Sequence, residues 1–168
     1  MTQWHPYHVM AARTWRFFDR YVDAVRTDAF ANGGAAHNDA EDFLHAAFQC
    51  CWHIKDWIKN DNGIEESVRR GILTQAHADP RLRVVQGFAN GTKHLEITPV
   101  GKGDQLRVDD GEVEFHQLAN GDLLVRRFLN VAQTGERVAA DLALRAGMTA
   151  WEEIVHANGL PSIVDSQP

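Results

Sequence analysis

The residues best suited to chemistry lie in a short stretch that ends at His94. If one helix runs through this stretch, its step of about 100° per residue brings Arg83, Asn90 and His94 onto a narrow arc, with Lys93 directly before His94. An imidazole can transfer protons near neutral pH, and an Arg or Lys can stabilise a phosphate. On this interpretation His94 is the acid–base, Asn90 is the positioning group, and Arg83 or Lys93 contacts phosphate. A solvated helix face would carry the same residues, so both interpretations stand.

A second candidate group is a polar stripe at helical spacing between residues 45 and 60. Its members are His45, Gln49, His53, Asp56 and Asn60. His53 and Asp56 are three residues apart, so the carboxylate can orient the imidazole. Together with Lys55 and Trp57 they form a candidate binding surface. The alternatives are a solvated face and, for Trp57, a core or interface anchor.

The two groups could share one pocket if the second and fourth helices are neighbours. His53, Asp56 and His94 would then offer imidazole nitrogens and a carboxylate oxygen, which suit zinc or manganese, and the protein would be a small metal-dependent hydrolase. However, no pair has a recognised metal-binding spacing such as H-E-x-x-H. The sequence therefore predicts no metal ligands and no cofactor.

The run from Ala89 to His94 resembles a degenerate form of the motif of HEPN-superfamily domains. That motif is an Arg, a polar residue that is often Asn, about three further residues and a His, near the last helix of an up-and-down bundle. Asn90 and His94 match the polar and His positions. The resemblance implies a helical bundle over residues 6–94 and either a metal-independent ribonuclease that dimerises or an inactive relative that acts as a binding module.

Two features depart from the HEPN pattern. Ala89 stands where the family carries the Arg that contacts the scissile phosphate, which counts against ribonuclease activity unless Arg83 or Lys93 substitutes for it. The strand-like pattern at residues 95–140 is not a standard feature of the family. The resemblance therefore favours a binding role over catalysis.

Composition and charge limit the class of protein. The chain has 168 residues, of which 44% are hydrophobic and 24% charged, which is typical of one globular domain. Its net charge of −6 excludes the broad basic field needed to coat a nucleic acid. No apolar run approaches the ~20 residues of a membrane span, and the first 15 residues lack the pattern of a signal peptide. A cytoplasmic location without membrane contact is the expectation.

The hydrophobic periodicity predicts an α+β fold in a single domain, residues 1–168. The expected elements are helices at about 6–31, 40–60, 64–77 and 80–94, strands within about 95–140, and a closing helix at about 141–158. Asn38 or Asp39 is the expected cap of the second helix, Asp79 of the fourth and Asp141 of the last. These elements form a four-to-five-helix up-and-down bundle with a small three- or four-stranded antiparallel sheet inserted before the last helix.

The favoured functional hypothesis is a non-enzymatic protein-interaction module on a HEPN-like scaffold, acting as a homodimer in an accessory, phage-encoded or defence-associated role. Its partner would be another protein. The alternatives are the ribonuclease or RNA-binding protein built on Asn90 and His94, and the metal-dependent hydrolase. The adjacent Cys50 and Cys51 are expected to be reduced and buried, and His5 and His8 are expected to be solvated.

Overall fold

The computed structural model describes residues 5–26, 35–91, 108–117, 123–131 and 135–163. Within these ranges the chain forms five α-helices and a small antiparallel sheet. The elements are α1 (Tyr7–Arg26), α2 (Ala35–Lys59), α3 (Glu66–Ala78), α4 (Pro80–Gly91), β1 (Val108–Gln117), β2 (Leu123–Val131), β3 (Glu136–Ala139) and α5 (Ala140–Ala157). The predicted α+β class, mainly helical with a small antiparallel sheet before the last helix, is confirmed.

The sheet has the order β1-β2-β3. β1 and β2 are the longer strands and pair antiparallel, with Val108 opposite Val131 and Gln117 opposite Leu123. The four-residue β3 pairs antiparallel with the other edge of β2. Residues 92–107, where the sequence predicts the end of the fourth helix and the first strand, lie outside the described residues.

A single aspartate separates α3 from α4. The backbone N–H of Asp79 donates to the carbonyl of Gln75 at the end of α3. Its Oδ1 accepts from the backbone N–H groups of Arg81 at 2.8 Å and Leu82 at 3.3 Å. Asp79 therefore caps α4, as the sequence predicts, because its carboxylate satisfies donors that the first turn of a helix leaves free.

Two other predicted helix starts differ from the structure. α2 begins at Ala35, so Asn38 and Asp39 lie inside the helix and do not cap it. Ala has the highest helix propensity, which favours extending the helix through residues 35 and 36. α3 begins at Glu66 instead of Ile64, because the Glu65 side chain accepts from the backbone N–H of Val68 and provides the cap.

α5 also starts differently from the prediction but ends as predicted. Its N-cap is Ala139, which has no side-chain capping bond, and Asp141 lies in the first turn. The helix follows directly from β3, so no turn residue intervenes. At the other end, Gly159 adopts a left-handed φ of 73°. Its N–H donates to the His156 carbonyl at 3.0 Å, and that of Leu160 donates to Val155 at 3.0 Å, which satisfies the last carbonyls of the helix.

α5 is anchored in the core against α2 and α4. Trp151 is fully buried, and its indole Nε1 donates to the carbonyl of Cys51 at 2.9 Å. One turn earlier, Gly147 lies against the side chains of Val85, Cys51 and Leu82. The absence of a side chain at Gly147 therefore allows the three helices to approach closely.

Adding one methyl group at this point is expected to destabilise the fold. A Cβ at Gly147 would lie 2.5 Å from Val85 Cγ2, so we expect Gly147→Ala to lower the free energy of unfolding by about 1 to 3 kcal/mol through overpacking. Urea denaturation measures the change. Gly71→Ala is the matched control, because its Cβ would meet Asn158 Oδ1 only at 3.7 Å, and a helical Gly→Ala change should then be neutral or stabilising. Equal stability of the two variants would contradict the close approach.

Candidate functional site

The structure describes half of the predicted catalytic group. Arg83 and Asn90 are half-buried on α4, whereas Lys93 and His94 lie outside the described residues. α4 is described as far as Gly91. The proposed arc of Arg83, Asn90 and His94 therefore stays a prediction.

Ala89, which the suggested HEPN resemblance aligns with an arginine, faces the interior of this protein. Ala89 is only 2% exposed, and so is its neighbour Phe88. A long charged side chain at this position would have to be accommodated in the packed core. The described part of α4 thus offers no exposed group at residue 89 with which to contact a phosphate.

α2 and α4 are neighbours, and their described contacts lie along α2 between His45 and Cys51. The ring of Phe88 packs edge-on against His45 at 4.9 Å and Phe48 at 4.7 Å. His53 and Asp56 lie 8 and 11 residues beyond His45, which corresponds to about 12 to 16 Å along a helix. Because the other end of α4 packs near Cys51, Asn90 lies beyond Phe88 on the side away from His53. The described contacts therefore place Asn90 nearer to the His45 end of α2, and the shared pocket with His94 stays a prediction.

The predicted binding residues of α2 form local contacts. Lys55 Nζ lies 2.7 Å from Asp56 Oδ1 and 5.2 Å from the centre of the Trp52 ring. Asn60 donates to the backbone carbonyl of Asp56 at 2.7 Å. Across the described ranges no three His, Cys, Asp or Glu residues are grouped so that they could hold a metal ion.

A surface of α1 outside the predicted sites is distinguished by its positive charge. Arg13, Arg16 and Arg20 follow the spacing i, i+3, i+7 along α1 and are exposed, so their side chains share one face of the helix. No described residue gives any of the three a hydrogen bond or an ion pair. Three guanidinium groups therefore lie in a row that no carboxylate of the described residues contacts.

Several other arginines of the described chain have carboxylate partners, although the Arg145 guanidinium, like that of Arg20, lies over aromatic rings instead. Arg81 contacts Asp79 at 2.7 Å and Glu153 at 2.6 Å. Arg127 contacts Glu41 at 2.5 Å. This contrast matters in a chain with a net charge of −6, because carboxylates are plentiful and yet none in the described ranges pairs with the α1 row.

The arginine row borders the line along which α1 packs against α2. The Arg20 guanidinium lies 5.9 Å from the centre of the Phe17 ring and 5.8 Å from that of Phe43 on α2. Burial raises the pKa of the Cys50 thiol, while Arg13 and Arg16 act to lower it, so both guanidinium groups lie near Cys50. All of these contacts place the row beside α2.

The α2 side of this border is apolar and half-buried. Phe43, Cys50 and Trp57 are seven residues apart and therefore fall on nearly one line of the helix, and each is partly buried against the core. Trp57, a predicted binding residue, lies on this line. We define the arginine seam as the following six residues: Arg13, Arg16, Arg20, Phe43, Cys50 and Trp57.

The structure also reveals a polar cluster that sequence reasoning missed. The prediction that His5 and His8 are solvated is wrong, since they are 3% and 4% exposed. His5 Nδ1 lies 2.8 Å from Asp61 Oδ2, and Asp61 Oδ1 accepts from the backbone N–H of Gly63 at 2.8 Å. The contact places the start of α1 beside the end of α2, so the two packed helices run antiparallel. No local pattern signals it, because the partners are 56 residues apart.

The same cluster holds the segment that follows α5. The Tyr7 hydroxyl donates to the Pro161 carbonyl at 2.8 Å, His8 Nε2 lies 3.2 Å from the Ser162 carbonyl, and Ile163 N donates to Glu152 Oε2 at 2.7 Å. Burial, aided by nearby carboxylates, raises the pKa of Tyr7 far above its usual value, so its hydroxyl remains a donor. We call this cluster the polar clasp, defined by His5, Tyr7, His8 and Asp61. Its buried, partnered side chains join three chain segments and present no reacting atoms to solvent.

Comparisons with known proteins assign no function to the arginine seam or the polar clasp. Within the described ranges, no helix combines the length and the apolar character needed to cross a bilayer. No protein-family model, curated protein or solved structure matches this chain.

Proposed function

We propose that this protein is a non-enzymatic protein-interaction module that binds an acidic segment of another protein at the arginine seam. The observation that carries the proposal is the row of three exposed guanidinium groups, which have no carboxylate partner in the part of the chain that the structure describes, beside half-buried apolar side chains. A carboxylate-bearing partner would supply what the row lacks.

The residue types of the seam suit protein recognition. Arg is weakly hydrated, forms bidentate pairs with carboxylates and stacks on aromatic rings. Arg, Trp and Phe are enriched at protein interfaces, where aromatic anchors supply much of the affinity. Arg20, which lies against Phe17 and Phe43, already combines these two roles. A net charge of −6 disfavours a nucleic acid, which would be repelled by most of the remaining surface.

The HEPN-like scaffold, the homodimer and the accessory or defence-associated role remain part of the proposal. A helical arrangement with Asn90 near the end of the described α4 and a buried Ala89 is consistent with a binding module in which the family's catalytic Arg has been lost. A sizing measurement tests the homodimer, which a monomeric mass would exclude.

The proposed function predicts a preference for acidic polypeptide over RNA. Fluorescence anisotropy would compare labelled poly-L-glutamate with a single-stranded RNA oligonucleotide of similar charge, at low salt and at 0.5 M NaCl. We expect the polypeptide to bind more tightly and its binding to weaken at high salt, because exposed charges are then screened. RNA binding in preference to the polypeptide would contradict the proposal.

The ribonuclease alternative is tested separately. Total RNA would be incubated with the wild-type protein and with His94→Ala, with and without a chelator. We expect no difference between the two proteins. Cleavage that is lost in His94→Ala and insensitive to chelation would establish the metal-independent ribonuclease instead, whereas cleavage that is lost on chelation would favour the metal-dependent hydrolase.

A further inference from the structure

We infer that the acidic partner presents an amphipathic α-helix, which lies along the arginine seam with one carboxylate facing each arginine. This inference rests on the proposed function and specifies the partner. Its basis is the spacing of the row, the apolar line beside it and the positive charge of guanidinium groups that no described carboxylate pairs with.

The spacing of the row matches the repeat of a second helix. At a rise of about 1.5 Å per residue, Arg13 and Arg16 are separated by about 4.5 Å along α1, and Arg16 and Arg20 by about 6 Å. A partner helix places carboxylates at the same two separations when it carries Asp or Glu at i, i+3 and i+7, or at i, i+4 and i+7 if it runs in the opposite direction. An extended peptide repeats each face at about 6.8 Å and fits this row less well.

The apolar line beside the row gives such a helix a surface to bury. Phe43, Cys50 and Trp57 lie at heptad spacing on α2 and are only partly covered by the core. A helix that packs against two neighbouring helices inserts its side chains between theirs, at axial distances of about 8 to 10 Å. The partner would thus place apolar side chains over this line and its acidic side chains toward α1, as amphipathic helices do when they bind hydrophobic grooves.

Charge complementarity favours an acidic helix as the occupant of the arginine seam. The three arginines carry positive charge into a chain that is acidic overall, so a neutral or basic helix would leave them without partners. Like charges facing each other at an interface are strongly unfavourable, and opposite charges set the register. The arginine row is therefore expected to determine both the choice of partner and its position along α1.

The test uses two synthetic helical peptides of identical composition. The first carries Glu at i, i+3 and i+7, with Leu along the adjacent face, and the second carries the same residues shuffled so that Glu is spread around the helix. Circular dichroism must show equal helicity. In fluorescence anisotropy we expect the protein to bind the first peptide at least tenfold more tightly than the second. A version of the first peptide with reversed sequence is included, because the partner helix could run in either direction along α1.

Two protein variants test whether the arginine row causes the difference in affinity between the two peptides. Arg16→Glu should abolish the difference between the peptides, whereas Arg70→Glu, which changes an exposed arginine on α3, should preserve it. Equal binding of the matched and shuffled peptides would overturn the helix inference while leaving an acidic partner in place. Failure of both peptides to bind, with binding of RNA instead, would overturn the proposed function as well.

Discussion

Replacing Asp61 with alanine is expected to lower the free energy of unfolding by about 1 to 3 kcal/mol, the cost of leaving a buried hydrogen-bonding group without its partner. Asp61 is 6% exposed and His5 is 3% exposed. Without the carboxylate, the His5 imidazole and the Gly63 N–H both lose partners at 2.8 Å. The buried imidazole left without a partner costs more than the hydrogen bond itself contributes, whereas the N–H of the exposed Gly63 can bond to water instead. Chemical denaturation followed by circular dichroism measures the loss.

The control for this prediction is Asp42→Ala, which removes an exposed carboxylate from α2 and should change stability by no more than about 0.5 kcal/mol. A double-mutant cycle that combines Asp61→Ala with His5→Ala measures the coupling free energy between the two side chains. We expect a coupling of about 1 kcal/mol or more, because residues in direct contact are not additive. A loss below about 1 kcal/mol for Asp61→Ala, or full additivity with His5→Ala, would show that the polar clasp does not stabilise the fold.

Local signals in the sequence predict the elements well. Asp79 followed by Pro80 marks the start of α4, because an aspartate cap and a proline in the first turn both favour a helix start, and the structure contains the capping bonds. Gly159 marks the end of α5, because the left-handed conformation of its C-terminal motif requires a glycine. In both cases the information lies within a few residues of the boundary.

Long-range contacts could not be predicted in the same way. The pairing of His5 with Asp61 depends on how α1 and α2 are placed, and each residue by itself looks like a polar residue at a chain end or in a turn. Likewise, the sequence shows an alanine at position 89, but only the packing of α4 shows that this position is buried. Tertiary placement, not residue type, decides both.

The arginine row could be predicted only in part from the sequence. Its spacing is visible in the sequence, yet a row of exposed charges is usually a solvated helix face. Arg13, Arg16 and Arg20 become notable only when the structure shows that none of them has a carboxylate partner among the described residues. Sequence reasoning chose His53, Lys55, Asp56 and Trp57 as the binding surface, and of these Trp57 is the one that lies on the line of the arginine seam.

The second large effect is expected from reversing the charge of the whole row. The triple variant Arg13→Glu, Arg16→Glu, Arg20→Glu should bind the matched acidic helix at least about a hundredfold more weakly, which corresponds to about 3 kcal/mol. Each substitution replaces an attraction by a repulsion. Because all three side chains are exposed, the fold should persist, and thermal unfolding should remain cooperative. Arg70→Glu serves again as the control, and unchanged affinity of the folded triple variant would place the binding elsewhere.

The central claim is that charge complementarity at the arginine seam selects the partner, and a charge swap tests it most directly. The triple variant would be titrated with a peptide in which each Glu of the matched helix is replaced by Lys. We predict that this pair binds with an affinity close to that of the original pair, while both mixed pairs bind weakly. If the Lys peptide binds the wild-type protein as well as it binds the triple variant, the arginine seam does not select its partner by charge.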